Sequence, residues 1–218
     1  MNFKTYSHAL PFTDKVGWQW PAGDKKLVQV FEHVSDLDTV MKYVQDTSVC
    51  VQAGGACGLW PYRLAQLFEE VYTFEPQPEN FACLLANTED FDNIVAYHAP
   101  LTNDHQTYSI HNDIVERENW GAGYVVKDPK GLEAMRIDEL DLESCGLIQL
   151  DVEGYELQAL MGAAETIYAH DPVIVLEEKP LNHMAGDPAR ARKWLENEFG
   201  YKLVESIHRD VILSIRGR

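Results

Sequence analysis

The sequence predicts an α/β fold: an open, mostly parallel sheet with helices on both faces and an antiparallel strand pair at its C-terminal end. Three observations predict it. A short apolar run, Val49 to Gln52, leads into a glycine-rich turn, Gly54-Gly55-Ala56-Cys57-Gly58, and then into a helical pattern. Further apolar runs of strand length alternate with stripes of helical spacing. Several of these runs end in acids: Glu75, Asp151 with Glu153, and Glu177 with Glu178.

The chain has 218 residues, 45% of them hydrophobic, enough for one sizeable core. With 18 Lys+Arg against 35 Asp+Glu, the formal net charge is −17. That charge opposes binding to phosphate backbones and to anionic membranes, so neither nucleic acid nor a membrane is an expected partner. It favours a cationic ligand. Four cysteines, Cys50, Cys57, Cys83 and Cys145, show no CxxC spacing and read as small apolar residues in a reducing compartment. Met1 to Leu10 holds no apolar signal core and no run reaches membrane length, so a cytoplasmic location is expected.

In chain order, residues 1–46 read as an N-terminal arm and helix packing on the body, and 47–218 as one domain. Phe3, Tyr6, Trp18 and Trp20 with Pro11, Pro21 and Gly23 show no period. They suit a packed arm, with a lid over the site as the alternative. Ser35 is a plausible N-cap for a helix whose stripe is Leu37, Val40, Met41 and Val44. After the glycine turn, Pro61 suits a first helical turn, and Leu64, Leu67, Phe68 and Val71 space out one buried face. The strand Val71–Phe74 ends at Glu75-Pro76. A helix follows from Pro78 to Thr88 with Phe81, Leu84 and Leu85 inward, then a strand from Ile94 to Ala99.

Residues 107–127 break the rhythm. Tyr108–His111 and Tyr124–Val126 read as a small antiparallel excursion, whose tip is the kind of loop that holds substrate. Met135 to Ser144 is a solvated acidic face. Leu147–Leu150 and Val173–Leu176 are buried strands, the first followed by a helix with Leu157, Leu160, Met161 and Ala164 on one face. Asp187-Pro188 starts a helix carrying Ala191, Trp194, Leu195 and Phe199, which Gly200 stops. Strands near Lys202–Ile207 and Val211–Ile215 complete the chain.

The chemistry sits at the strand tips. Glycines let a ligand approach the backbone closely, and a helix start offers N–H groups to an anion. Glu75 stands 21 residues after Gly54. That is close to the ~20-residue interval at which an acid takes the ribose hydroxyls of a nucleotide. His98, Ala99 and Pro100, at the third strand's end, are candidate contacts to the base. Carboxylates at the tips of central strands are costly to desolvate unless they bind something, so Asp151, Glu153 and Glu177 mark an acidic pocket beside the glycine turn. GxxxxGK[ST], HExxH and GxSxG are absent, and the eight histidines show no metal-ligand spacing.

The segments VQAGGACG, FEPQPENF, LIQLDVEGYELQALMGAAETI and VIVLEE resemble the FkbM family of S-adenosylmethionine-dependent methyltransferases, over about residues 47–180. The resemblance implies a class I methyltransferase, Rossmann-like fold. It implies that Gly54, Gly55 and Gly58 approach the methionine part of S-adenosylmethionine. Glu75, with Pro76 beside it, would hold the ribose, and Asp151 would lie near the amino group or the transferred methyl. The family often has an acid where Gln52 stands, Asn at Ala56 and Lys at Gln149. Gln52 could still bond the cofactor's ammonium through its carbonyl.

The expected reaction is O-methylation of a sugar or small hydroxylated metabolite by in-line transfer. Glu153, Glu177 and Asp151 are candidate general bases. Alternatively Asp151 and Glu177 hold a divalent cation, or Glu153 and Glu177 are structural. An NPPY-type signature of base methylation is missing. Two other readings are an NAD(P)-dependent oxidoreductase, against which Ala53 replaces the first glycine of GxGxxG, and a non-catalytic binding module of the same fold.

Overall fold

Parallel strands buried on both faces read as apolar runs, and the centre of this sheet is built from such runs, interrupted by Gln52 in one central strand and Gln149 in the other. The computed structural model describes residues 1–7, 13–24, 34–111, 123–180 and 186–215. Strands β1 (Phe3–Tyr6) and β2 (Trp18–Pro21) form an antiparallel pair. A 3-10 turn, Val34–Asp36, runs into the short helix Leu37–Val40. Then come β3 (Val49–Ala53), helix Leu59–Leu64, β4 (Glu70–Phe74), helix Pro78–Asn87 and β5 (Ile94–Tyr97). The excursion is β6 (Thr107–His111), β7 (Tyr124–Lys127) and β8 (Leu132–Glu133). The second half is β9 (Leu147–Leu150), helices Glu156–Met161 and Ala164–His170, β10 (Val173–Glu177), helix Arg190–Phe199, β11 (Lys202–Ile207) and β12 (Asp210–Ser214).

The main sheet has seven strands in the order β11-β12-β10-β9-β3-β4-β5. Only β12 runs against the rest, pairing antiparallel with both β10 and β11. The chain leaves β3 toward β5 on one side and returns to β9 on the other, so β3 and β9 flank the point where strand order reverses. Ligands of open α/β sheets bind in the crevice at the carboxyl ends of such a strand pair.

One face of the sheet carries Val51, Ala53, Phe74, Ile148, Leu150, Ile174 and Leu176 against Leu160, Ile167 and Leu195 of the following helices. The other carries Cys50, Val71, Leu147, Val173, Val175 and Ile212 against Leu37, Leu64 and Phe68. All four cysteines are buried and free. Among the described residues no helix is long and apolar enough to cross a membrane.

Several local expectations change. The helix after the glycine turn stops at Leu64, and Val71 belongs to β4. Helix Leu37–Val40 begins from Asp36, and Ser35 lies inside the preceding 3-10 turn rather than at the helix's N-cap. In helix Pro78–Asn87, Leu85 is exposed, while Asn80, Cys83, Leu84 and Asn87 are the buried residues. Asn87 is polar at a buried position because it receives the N-terminal arm. Asn87 accepts a hydrogen bond from Gln19 N at 2.7 Å and donates to Gln19 O at 2.9 Å and Cys57 O at 2.7 Å. Trp18 is buried edge-on against Tyr62, with ring centroids 5.1 Å apart. The described arm therefore packs on the body, tied to the glycine turn through one asparagine. The excursion is antiparallel as expected and gains a third strand, because β8 also pairs with β6. Its tip, 112–122, lies outside the described residues.

Removing the Asn87 amide takes a partner from three backbone groups, the buried Cys57 carbonyl and the part-buried N–H and carbonyl of Gln19. Asn87→Ala should cost about 2–3 kcal/mol in denaturant unfolding and should expose the arm to limited proteolysis. Unchanged stability and an equally protected arm would contradict the clamp.

Candidate functional site

The sheet's register sets acids side by side at its carboxyl edge. Leu150 pairs with both Ala53 and Leu176, so the next positions along, Gly54, Asp151 and Glu177, follow in one row, and Glu177 itself pairs with Asp210 of β12. Glu75 stands on the other side of Gly54, since Ala53 pairs with Phe74. Two central strands approach so closely here that a Cβ on Gly54 would lie 2.0 Å from the carbonyl oxygen of Asp151. Gly54 also has φ +82, in the left-handed region. The Asp151 N–H donates back to Ala53 O at 3.0 Å.

A cleft opens above this row. Ala53, Gly54, Phe74, Glu75, Pro76 and Asn80 form one wall; Ala99, Pro100 and Leu101 form the floor. Asp151, Val152, Glu153 and Tyr155 form the far wall, and Ile110, Gly123 and Val125 of the excursion cover it. Its space, open mouth included, is about 530 Å³. It is acidic at both ends and apolar between.

Glu75 is 6% exposed. Its two oxygens accept from Ala56 N at 2.7 Å and Gln77 N at 2.8 Å. Burial outweighs these bonds and pushes its pKa up to about 7. Glu153, at φ +51, is also raised to about 7, by burial and by Asp151. Burial and Asp151 push Glu177 up to about 9. Asp210 is raised to about 7 by burial, then by Asp151 and Asp36. Asp151 itself is exposed. Asp151, Glu153 and Glu177 bring one carboxylate oxygen each to within 4.8 Å of one another, the donor spacing a cation would need. Lys179 is ion-paired to Glu153 at 2.9 Å and to Glu177.

The structure thus brings Gly54, Glu75, Pro76, Ala99, Asp151 and Glu153 to one cleft, with Glu177 within reach of its acidic end. Four expectations are corrected. Gln52 is fully buried and accepts from the Thr73 hydroxyl at 2.6 Å, so it does not face the cleft. Gly55 packs against Leu84 and Thr73, and Gly58, at φ +88, packs against Leu84 and Thr88, so the first is glycine for packing and the second for its left-handed backbone as well. His98 stacks outside on Phe81, with Nε2 3.1 Å from Pro76 O. The glycine turn is also no anion cradle. Gly54 and Gly55 donate to Phe74 O, Gly58 to Gly55 O and Ala56 to Glu75. Gln52 and Gln149 are register partners, so the two departures from the family's acid and lysine sit side by side as a neutral pair.

Sequence reasoning missed Lys179, Asp210, Asn80 and Tyr155. Lys179 had a signal: it is a cation directly after the Glu177-Glu178 pair in an acid-rich chain. Asp210 had none, since only strand pairing brings it beside Glu177.

Residues 62–203 match the model of the methyltransferase FkbM domain. The chain belongs to the FkbM methyltransferase family. No protein of curated function matches it in sequence. Among solved structures, methyltransferase FkbM from Methylobacillus flagellatus KT is similar, at 18% identity and TM-score 0.53, over 87% of this chain and 54% of that one. The chain thus spans about half the length of that protein. Precorrin-6y C5,15-methyltransferase from Geobacter metallireducens GS-15 is 15% identical, TM-score 0.49, over 97% of this chain and 92% of its own. Magnesium protoporphyrin IX methyltransferase from Synechocystis PCC 6803, with bound S-adenosylmethionine, is 13% identical, TM-score 0.48, over 86% and 78%. The fold is that of class I S-adenosylmethionine methyltransferases, a mostly parallel seven-stranded sheet with an antiparallel C-terminal pair.

The raised acids set a pH dependence of stability. Each binds its proton more tightly folded than unfolded, so stability is full below the unfolded carboxylate range and falls as pH rises through the folded values, about 7 for Glu75, Glu153 and Asp210. The ligand-free chain should melt at a lower temperature at pH 8 than at pH 6, and Glu75→Gln should flatten part of that slope. A melting temperature that rises over this interval would contradict the electrostatics described.

Proposed function

We propose that this chain is an S-adenosylmethionine-dependent methyltransferase acting on a hydroxyl of a small molecule or glycan, a sugar or similar polyol being the favoured acceptor class. The observation that carries this reading is the cleft's donor set: a buried acid at one end, apolar walls between, and further acids at the other. That order fits a ligand with a diol, a flat base and a cationic end. Glu75 accepts the diol with the lone pairs its two backbone bonds leave. Phe74, Pro76, Ala99 and Leu101 flank the base. Asp151 and Glu153 face the positive end.

S-adenosylmethionine supplies, when bound, an electrophilic methyl on a sulfonium. The chain's residues align the acceptor, exclude water and take its proton. Glu177 and Glu153 suit the last task, because burial among acids makes a carboxylate a stronger base. The acceptor O–H would give its proton to that carboxylate; the cofactor, when bound, would supply the methyl, its S–C bond breaking as the new O–C bond forms. A dinucleotide is disfavoured, since the turn's amides at Gly54, Gly55, Ala56 and Gly58 are internally bonded and cannot grip a pyrophosphate. The net charge of −17 and the acidic row argue against a nucleic-acid acceptor. Four buried thiols suit a reducing, cytoplasmic setting.

Calorimetry should show S-adenosylmethionine binding and no NADH binding; the reverse would overturn the reading. If the ionised form of Glu75 is the ribose acceptor, affinity should rise about tenfold from pH 6 to pH 8 for a group titrating near 7, and Glu75→Gln should abolish that dependence. Labelled methyl transfer to a panel of sugars and hydroxylated metabolites should be lost in Asp151→Ala. Cofactor binding without turnover across the whole panel would favour a non-catalytic module.

A further inference from the structure

Three carboxylates that close need a counter-charge, and it can come from a bound ion or from the chain. Here it comes from the chain. The Lys179 ammonium contacts Glu153 and Glu177 directly, and its side chain is 19% exposed. Burial works against an ammonium, yet Asp151, Glu153 and Glu177 together hold its pKa above that of an ordinary lysine. The backbone beside it is pinned. Glu178 N–H donates to Arg209 O at 2.8 Å, and the Glu178 carboxylate pairs with Arg192 at 2.9 Å. Glu178 is thereby held away from the cluster while its neighbours on either side, Glu177 and Lys179, enter it.

We propose that Lys179 is the positioning residue of this site, a built-in cation standing where a divalent ion would otherwise bridge Asp151, Glu153 and Glu177. The role in methyl transfer rests on the proposed function; the ammonium's place among the acids does not. A lysine ammonium offers three donors and no open coordination position. It fixes the two glutamates against the end of the cleft but cannot take an acceptor oxygen as a metal ligand. The acceptor's proton must then pass to a carboxylate, and the acceptor class is a neutral hydroxyl compound rather than a metal chelator such as a catechol.

Manganese titration of the full chain, followed by electron paramagnetic resonance, tests this without cofactor or acceptor. Wild type should bind Mn²⁺ only at the weak level of scattered surface carboxylates. Lys179→Met removes a unit charge from the centre of the trio, and should bind Mn²⁺ about tenfold tighter or more. Glu177→Gln on that background should remove the gain. Lys179→Arg keeps the charge and should stay weak, a difference that mere structural damage would not produce. Tight Mn²⁺ binding by wild type that Glu177→Gln abolishes would overturn the proposal, and that arm needs no lysine variant to fold. Equal affinity in a folded Lys179→Met chain would also overturn it. Failure of S-adenosylmethionine to bind in calorimetry would instead strike the proposed function and leave the ammonium's place standing.

Discussion

The carbonyl oxygen of Asp151 occupies the space that any side chain at position 54 would need. A Cβ there would lie 2.0 Å from it, so the closest approach of the two central strands exists only because residue 54 is glycine. The rest of the site follows from that approach. It seats Asp151 beside the glycine turn, lets the Asp151 amide reach Ala53 O, and aligns the acids of β4, β9, β10 and β12 along one edge. A bulkier residue at 54 would push β9 away and break the row at its centre.

Crowding like charges on one edge is unfavourable, and the structure offsets it in three ways. Glu75 bonds two backbone amides. Lys179 sits among Asp151, Glu153 and Glu177. Burial shifts several of the acids toward their protonated forms near neutral pH. The result is an edge whose charge is poised rather than fixed. The neutral Gln52–Gln149 pair beneath it adds no further charge.

Much of this was legible in the sequence, and the reasons are physical. β3, β9 and β10 are buried on both faces, so they read as largely apolar runs, and the acids that follow β9 and β10 stood out against them. Glu75 was visible through its spacing from Gly54. Gln52 misled because a polar residue near a strand's end looks like a ligand contact, whereas here it completes a hydrogen bond with Thr73 inside the sheet. Gly55 and Gly58 misled because close approach of a helix to a turn and close approach of a ligand leave the same trace. Asp210 depends on which strands become neighbours, and periodicity within one strand carries no such information; Lys179 follows two acids in the sequence, but its partner Glu153 comes from a different strand's end.

Glu75 and Asp151 line one cleft, and in the proposed function they serve opposite ends of one ligand. A crystal structure of the chain with S-adenosylhomocysteine tests it most directly. Ribose hydroxyls should lie on the Glu75 carboxylate and the sulfur-bearing end beside Asp151 and Glu153, over Gly54. A ligand seated at another edge of the sheet, or one whose ribose turns away from Glu75, would contradict it.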